Sequence, residues 1–225
     1  MKTLHYNIHM WLDTNGHSNV DRVSELIEEY APDVVTLVEV DEPWGNPVRL
    51  RRLAERIAYR WIFVPAFEYR GRGGFGNAIL TRATIRSAQQ WQLLPPSLYD
   101  GTEPTEPRTV ALAEIELDQQ VVTIGATHLP RQDADKRSAA ADRLREAMHG
   151  LTGPWLICGD FNQPASAWLP SDFRSAPHPP VCTYPTRRPV EAIDYAIGSD
   201  LSIKAHALSA QASDHLPILV TTSGS

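Results

Sequence analysis

The stretch Trp155-Leu156-Ile157-Cys158-Gly159-Asp160-Phe161-Asn162 is an apolar run that stops abruptly at an acid and an amide. Its first four residues have the composition of a buried strand, so Asp160 and Asn162 fall at its C-terminal mouth, two residues apart and able to face one pocket. An aspartate there can take a proton from water while the amide orients the water or a phosphate oxygen. Read alone, the tetrapeptide Gly159–Asn162 is as well explained by an Asx-rich turn before a short helix near Pro164–Leu169.

The same placement recurs. Glu39 follows Val34–Val38, Asp194 follows Ile193, and Asp214 precedes His215. A carboxylate buried alone costs several kcal/mol or shifts its pKa until it is neutral, so repeated acids at strand ends imply a shared compensating charge. A bound divalent cation is the simplest such charge. Oxygen ligands without a Cys/His cluster point to a hard ion, Mg2+ or Mn2+.

The surrounding chain reads as an ordinary folded protein. Its 225 residues suffice for one substantial core, and one domain spanning 1–225 is expected. At 42% hydrophobic and 21% charged, the composition excludes disordered and fibrous classes. No apolar run approaches the ~18 residues of a membrane span, and Met1-Lys2 leads into strand-like sequence without a signal-peptide pattern. A cytoplasmic monomer is expected. The two cysteines, Cys158 and Cys182, receive no metal or redox role. A net charge of −6 speaks against general attraction to long nucleic acid, although a local basic patch would permit it.

Leu4, Tyr6 and Ile8 alternate with His5, Asn7 and His9, which predicts a two-faced strand with Asn7 near its end. Ser18 with Asp21 three residues on predicts a helix start, and Val20, Val23, Ile27 and Tyr30 form its apolar stripe. A second helix is expected at about Pro47–Tyr59. Short β-rich runs follow (Trp61–Ala66, Asn77–Thr81, Thr109–Leu117, Val121–Thr127), then a helix at about Ala134–Met148 and the strand at Trp155. The last third adds Ile193–Gly198, Leu201–Leu208 and Leu216–Thr221. Both halves read strand–helix–strand followed by further strands, which predicts two sheets packed face to face with helices outside. The Pro-rich Leu169–Pro189 is expected to be a long, functional loop.

Gly71-Arg72-Gly73-Gly74-Phe75-Gly76 matches the dinucleotide fingerprint by letter only. That motif needs a following helix and an acid about 20 residues on. Here a strand follows and Pro95-Pro96 occupy the acid's place, so a glycine-rich hairpin is expected. Ser213-Asp214-His215-Leu216-Pro217 sets a possible metal ligand beside an imidazole, and His128 closes Val121–Thr127. Each has a structural explanation when taken singly. Asn7, Glu39, His128, Asp160, Asn162, Asp194 and His215 at strand ends together argue for a site.

Tyr6-Asn7-Ile8, Asp33-Val34-Val35 leading to Glu39-Val40, Gly76–Leu80, Thr127-His128-Leu129, Gly159–Asn162, Ile193-Asp194-Tyr195 and Ser213–Pro217, in this order, resemble the endonuclease/exonuclease/phosphatase superfamily. The resemblance implies a DNase I-like α/β fold: a four-layer sandwich of two mixed sheets flanked by helices. It implies a metal-dependent phosphoric ester hydrolase in which Glu39 binds Mg2+ or Mn2+, with Asn7 and Asp214 in or near the first coordination sphere. Asp160, held by Asn162, would activate water; His128 and His215 would contact phosphoryl oxygens; Asp194 would orient one imidazole. Whether Asp160 or a histidine is the base stays open.

Arg108 is either a phosphate clamp or a solvated charge at a strand start. Trp11, Trp44 and Trp168 either rim the site or cover helix ends. Arg70, Arg72, Arg187 and Arg188 either supply positive charge at the mouth or are solvated. Three readings follow: a phosphodiesterase or phosphatase on a small or lipid-like phosphate, a DNA or RNA nuclease, or a non-catalytic interaction domain. The acidic charge and short loops favour the first.

Overall fold

The computed structural model describes residues 1–69, 73–94 and 106–224. The elements run β1 (Lys2–Asn7), α1 (Val20–Tyr30), β2 (Val34–Glu42), α2 (Val48–Ile57), β3 (Arg60–Tyr69), β4 (Gly73–Thr81), β5 (Thr84–Gln92), β6 (Thr109–Leu117) and β7 (Gln120–His128). They continue with α3 (Ala134–His149), β8 (Trp155–Asp160), β9 (Arg174–Ala176), β10 (Asp194–Ser199), β11 (Leu201–Ala207) and β12 (Ile218–Gly224).

Two mixed sheets result, ordered β11-β12-β1-β2-β4-β3 and β5-β6-β7-β8-β10-β9. Each holds one parallel pair, β1 with β2 and β7 with β8, and the helix that each crossover requires is α1 in one and α3 in the other. This explains the strand–helix–strand likeness of the two halves.

Alternation along the strands sorts side chains into three apolar layers. Leu4, Tyr6, Val35 and Leu37 meet Val23, Ile27, Leu50 and Leu53 of α1 and α2. Val34, Ile79 and Val220 of the first sheet meet Ala111, Ala113, Ile124 and Leu156 of the second. Val110, Trp155 and Ile157 meet Leu144 and Met148 of α3. Helix, sheet, sheet, helix is the expected four-layer sandwich. Among the described residues no helix is long and apolar enough to cross a membrane.

Several expectations need correction. The capping box at Ser18 does not form: α1 starts after Asn19, whose side chain makes no cap bond. Its Nδ2 donates instead to the carbonyls of Ile8, Leu12 and Ala212, tying three segments together. β5 was not expected, because an edge strand with polar residues on its exposed face lacks a buried run. β9 lies inside the stretch expected to be irregular throughout, held by pairing to β10. The helix near Pro164–Leu169 is only a 3-10 turn at Ala165–Ala167.

β3 and β4 pair as an antiparallel hairpin whose connection, with Arg70, Gly71 and Arg72, lies outside the described residues, as do Pro95 and Pro96. Gly76 serves close approach rather than a turn: a Cβ there would sit on the Val64 carbonyl oxygen of the neighbouring strand. Gly76→Ala is therefore expected to destabilise the protein by about 2 kcal/mol through overpacking. A urea midpoint equal to that of the parent would show that the strands have room to part.

Candidate active site

The crossovers place the ends of β1, β2, β7 and β8 on one edge of the sandwich. In the second sheet Asp160 is in register with His128 on one side and Asp194 on the other, so three ionisable side chains form one row. In the first sheet Asn7 ends β1, paired with Val38.

Glu39 reaches this edge through a backbone irregularity. Leu37 and Val40 both face the helices, so simple alternation cannot hold between them. The β2–β4 register shifts between these residues, and Glu39 adopts φ 56°. The bulge turns Glu39 toward the second sheet. A non-glycine residue in this left-handed region stores strain, as is common where a side chain must be re-aimed.

Asn7 Nδ2 donates to Glu39 Oε1 and Asp160 Oδ2, both at 3.0 Å, and lies 3.4 Å from His215 Nε2. Its Oδ1 accepts from the His9 N–H at 3.1 Å. Asn162 N–H donates to Asp160 Oδ1 at 3.0 Å. Asn162 Nδ2 reaches the Leu129 carbonyl at 2.9 Å and His128 Nε2 at 3.1 Å, while Arg131 donates to its Oδ1 at 3.1 Å. His128 Nε2 is also 3.6 Å from Asp160 Oδ2 and 4.0 Å from Glu39 Oε1. The expected cluster is thus brought together.

Asp194 Oδ2 accepts from Thr183 Oγ1 at 2.6 Å and lies 2.8 Å from His215 Nδ1. Its Oδ1 faces His5 Nε2 at 3.7 Å, and His5 Nδ1 is 3.0 Å from Thr36 Oγ1. Asp214 sits in the loop beside His215, where its Oδ1 accepts from Ser213 Oγ and lies 3.9 Å from His9 Nδ1. Tyr184 packs on the His215 ring, centroids 4.7 Å apart, and Arg131 lies 4.3 Å over the Tyr184 ring. His5, Thr183, Tyr184 and Arg131 were not among the sequence candidates.

Burial and charge divide the titratable groups. Burial, then the neighbouring Asp194 charge, raises Asp160 to about 7. Burial also raises Glu39, only partly offset by the Asn7 amide and His215. Burial would raise Asp194, but the charge and hydrogen bond of His215 outweigh it and hold Asp194 below the usual carboxylate range. Burial opposes charge on His215, yet Asp194 and Asp160 raise it to about 10. His128 is driven well below its ordinary value by burial and the Arg108 guanidinium. One imidazole is held cationic and the other neutral.

Arg108 is buried, with Nη2 2.7 Å from Glu106 Oε2 and Nη1 3.4 Å from His128 Nδ1. It is therefore not a solvated charge. Trp11 is core, and Trp168 donates to Tyr195 Oη and packs near Phe161; Trp44 alone of the three stays largely exposed. Arg187 bonds Thr14 and Asn15.

Glu39, His128 and Asp160 offer ligand atoms within 4.8 Å of one another, as do Asp160, Asp194 and His215. The second set is already an ion pair. In the first, two carboxylates with raised affinity for protons are held by one neutral amide NH2 group, and a divalent cation would supply the missing charge; the residues fit such an ion. Asn7 presents its amide nitrogen to Glu39 and its Oδ1 to the His9 N–H.

The sequence profile of the Endonuclease/Exonuclease/phosphatase family matches residues 10–215. The chain belongs to this family. Endonuclease/exonuclease/phosphatase proteins are hydrolytic phosphoesterases, typically dependent on a divalent metal. Among curated proteins no sequence matches significantly. Solved structures similar to the chain include a functionally unknown conserved protein from Enterococcus faecalis V583 (21% identity, TM-score 0.81, all of both chains covered). A mannosyl-6-phosphatase from Bacteroides thetaiotaomicron VPI-5482 is 16% identical, with TM-score 0.79 and 99% of each chain covered. The human Nocturnin catalytic domain with bound sulfate is 22% identical, with TM-score 0.76, covering 100% of this chain and 93% of that one. These likenesses establish the DNase I-like fold.

His215, raised to about 10, contributes stability that is complete below its unfolded value of ~6.5 and is lost as pH rises through the folded value. In the metal-free protein, NMR titration of the ring nitrogens is expected to show His215 protonated from pH 6 to 9 and His128 neutral throughout. A His215 transition near pH 6.5 would contradict the assignment.

Proposed function

We propose that the protein is a divalent-metal-dependent hydrolase that cleaves phosphoester bonds by direct water attack. Its substrate would be a small or lipid-like phosphate, cut as a phosphodiester or phosphomonoester. The observation that carries this reading is the joining of two proton-hungry carboxylates, Glu39 and Asp160, to one neutral and one cationic imidazole around a single open cavity of about 540 Å3.

In this reading Glu39 holds the ion, with Asp214 and the Asn7 amide beside it. A bound Mg2+ or Mn2+ supplies Lewis-acid charge to a phosphoryl oxygen and to the leaving oxygen. Asp160 takes the proton of the attacking water, since a carboxylate near 7 accepts protons well at neutral pH. The Asn162 N–H fixes the carboxylate through Oδ1 and leaves Oδ2 toward the cavity. His215 stays protonated, so it serves as a donor to a phosphoryl oxygen rather than as the base. Neutral His128, with Nδ1 turned to Arg108, points Nε2 to the Asp160 carboxylate and the phosphoryl position. Arg108 supports His128 and lines the same cavity, where its free edge can meet a phosphate oxygen. No covalent enzyme intermediate is required.

A nuclease would need a basic track, and the net charge of −6 speaks against general attraction to long nucleic acid. The fold likeness to a described mannosyl-6-phosphatase agrees with action on a small phosphate. Hydrolysis of p-nitrophenyl phosphate, its bis ester and plasmid DNA, compared with Mg2+, Mn2+ and chelator, tests the reading. Chelator-sensitive turnover is expected on a small ester, reduced at least a thousandfold in Asp160→Asn. Glu39→Gln should raise the metal concentration needed for half activity at least tenfold. Chelator-resistant turnover, or metal dependence unchanged in Glu39→Gln, would contradict the proposal.

A further inference from the structure

Besides its catalytic groups the cavity is lined by Glu106, Arg108, Arg131, Gln132, Asp133 and Asp135, together with the apolar side chains of Met10 and Phe75. Both arginines are already matched by carboxylates. Arg108 pairs with Glu106 at 2.7 Å, and Arg131 pairs with Glu191 at 3.0 Å while also bonding Asn162 and lying over Tyr184. Asp133 caps α3 through Lys136 N–H, with Lys136 Nζ at 3.7 Å. Asp135 stands exposed in the first turn of α3, facing the same cavity. Among the described residues of this rim, the cations are matched and negative charge is left over.

Such a rim repels a second phosphate and accepts hydroxyl groups. Carboxylates and an amide take hydrogen bonds from neutral donors, and Met10 and Phe75 give an apolar surface on which a ring can rest. With Arg108 assigned above to the first phosphate, a second anion would have to displace Glu191 from Arg131 or lie beside Asp135, and like-charge juxtaposition is a strong means of rejection. The cavity, at about 540 Å3, falls within the roughly 300–1,000 Å3 usual for small-molecule sites.

We propose that the substrate is an ester of a single phosphate with a neutral, hydroxyl-rich leaving group of sugar size, selected by Glu106, Asp133 and Asp135 against compounds bearing a second phosphate. This rests on the phosphoesterase reading above and narrows it. Water passes a proton to Asp160 as its oxygen attacks phosphorus, the bond from phosphorus to the sugar oxygen breaks, and that oxygen takes a proton from solvent as the alcohol leaves with inorganic phosphate as the other product.

The test measures kcat/KM with Mg2+ for a hexose 6-phosphate, the matching 1,6-bisphosphate, a short oligonucleotide and p-nitrophenyl phosphate, for the parent, Asp135→Asn and Asp135→Lys. The hexose monophosphate is expected to exceed the bisphosphate and the oligonucleotide at least tenfold. The bisphosphate-to-monophosphate ratio should rise at least tenfold in Asp135→Lys and by less in Asp135→Asn. Equal or better turnover of the bisphosphate or oligonucleotide by the parent, or an unchanged ratio in a folded Asp135→Lys, would overturn the inference while p-nitrophenyl phosphate turnover keeps the phosphoesterase reading. Loss of all four activities in the parent would overturn both.

Discussion

One amide nitrogen, Nδ2 of Asn7, holds a carboxylate from each sheet: Glu39 from the first and Asp160 from the second. Two buried acids cannot both keep full charge on the strength of one neutral amide, and burial raises both. The site is therefore short of positive charge by construction. This deficit exists because the face between the sheets, elsewhere filled by Val, Ile and Ala, becomes polar at one edge. It also makes the edge suited to a divalent cation, and so to phosphoryl chemistry.

The rest of the site reads as support for that edge. Asp194 is in register beside Asp160 but belongs electrically to His215, with Thr183 on the same oxygen and His5 facing the other. That arrangement separates one neutralised pair from the unsatisfied acids next to it. Arg108 does the opposite for His128, since a guanidinium at Nδ1 disfavours a second proton there. Two imidazoles a few ångströms from the same aspartate thus differ in charge because their far nitrogens face a carboxylate in one case and a guanidinium in the other. Arg131 then links Asn162, Glu191 and Tyr184, joining the loop after β7 to the segment that packs on His215.

Much of this is legible in the chain because it follows strand periodicity. Asp160 and Asn162 are visible where an apolar run ends, and His128 and Asp194 stand at comparable ends that register then aligns. The two-half likeness is the sequence trace of two parallel crossovers. What escapes has a local physical cause. Glu39 is legible as an acid ending an apolar run, but the bulge that carries it to the edge is not, since no alternation of residue types announces it. Thr183 and Tyr184 lie in a Pro-rich stretch whose course is set by bonds to distant Asp194 and Asp214. Arg131 looks like any surface arginine until Asn162 and Tyr184 are beside it, and His5 looks like a strand residue until Asp194 faces it. β5 is missed because an exposed edge strand has no buried run, and the α1 cap because the Asn19 side chain is engaged by three remote carbonyls.

The most direct test of this account is a crystal structure grown with Mn2+ at pH 8 and read by anomalous scattering at the manganese edge. The account expects a peak at the Glu39 carboxylate, at ligand distances of about 2.0–2.3 Å, on the cavity side of Asn7 and within the group formed with Asp160 and His128. No peak at this edge of the sandwich at millimolar Mn2+, or a peak held by residues other than Glu39, would contradict the claim that these buried acids are arranged around a cation.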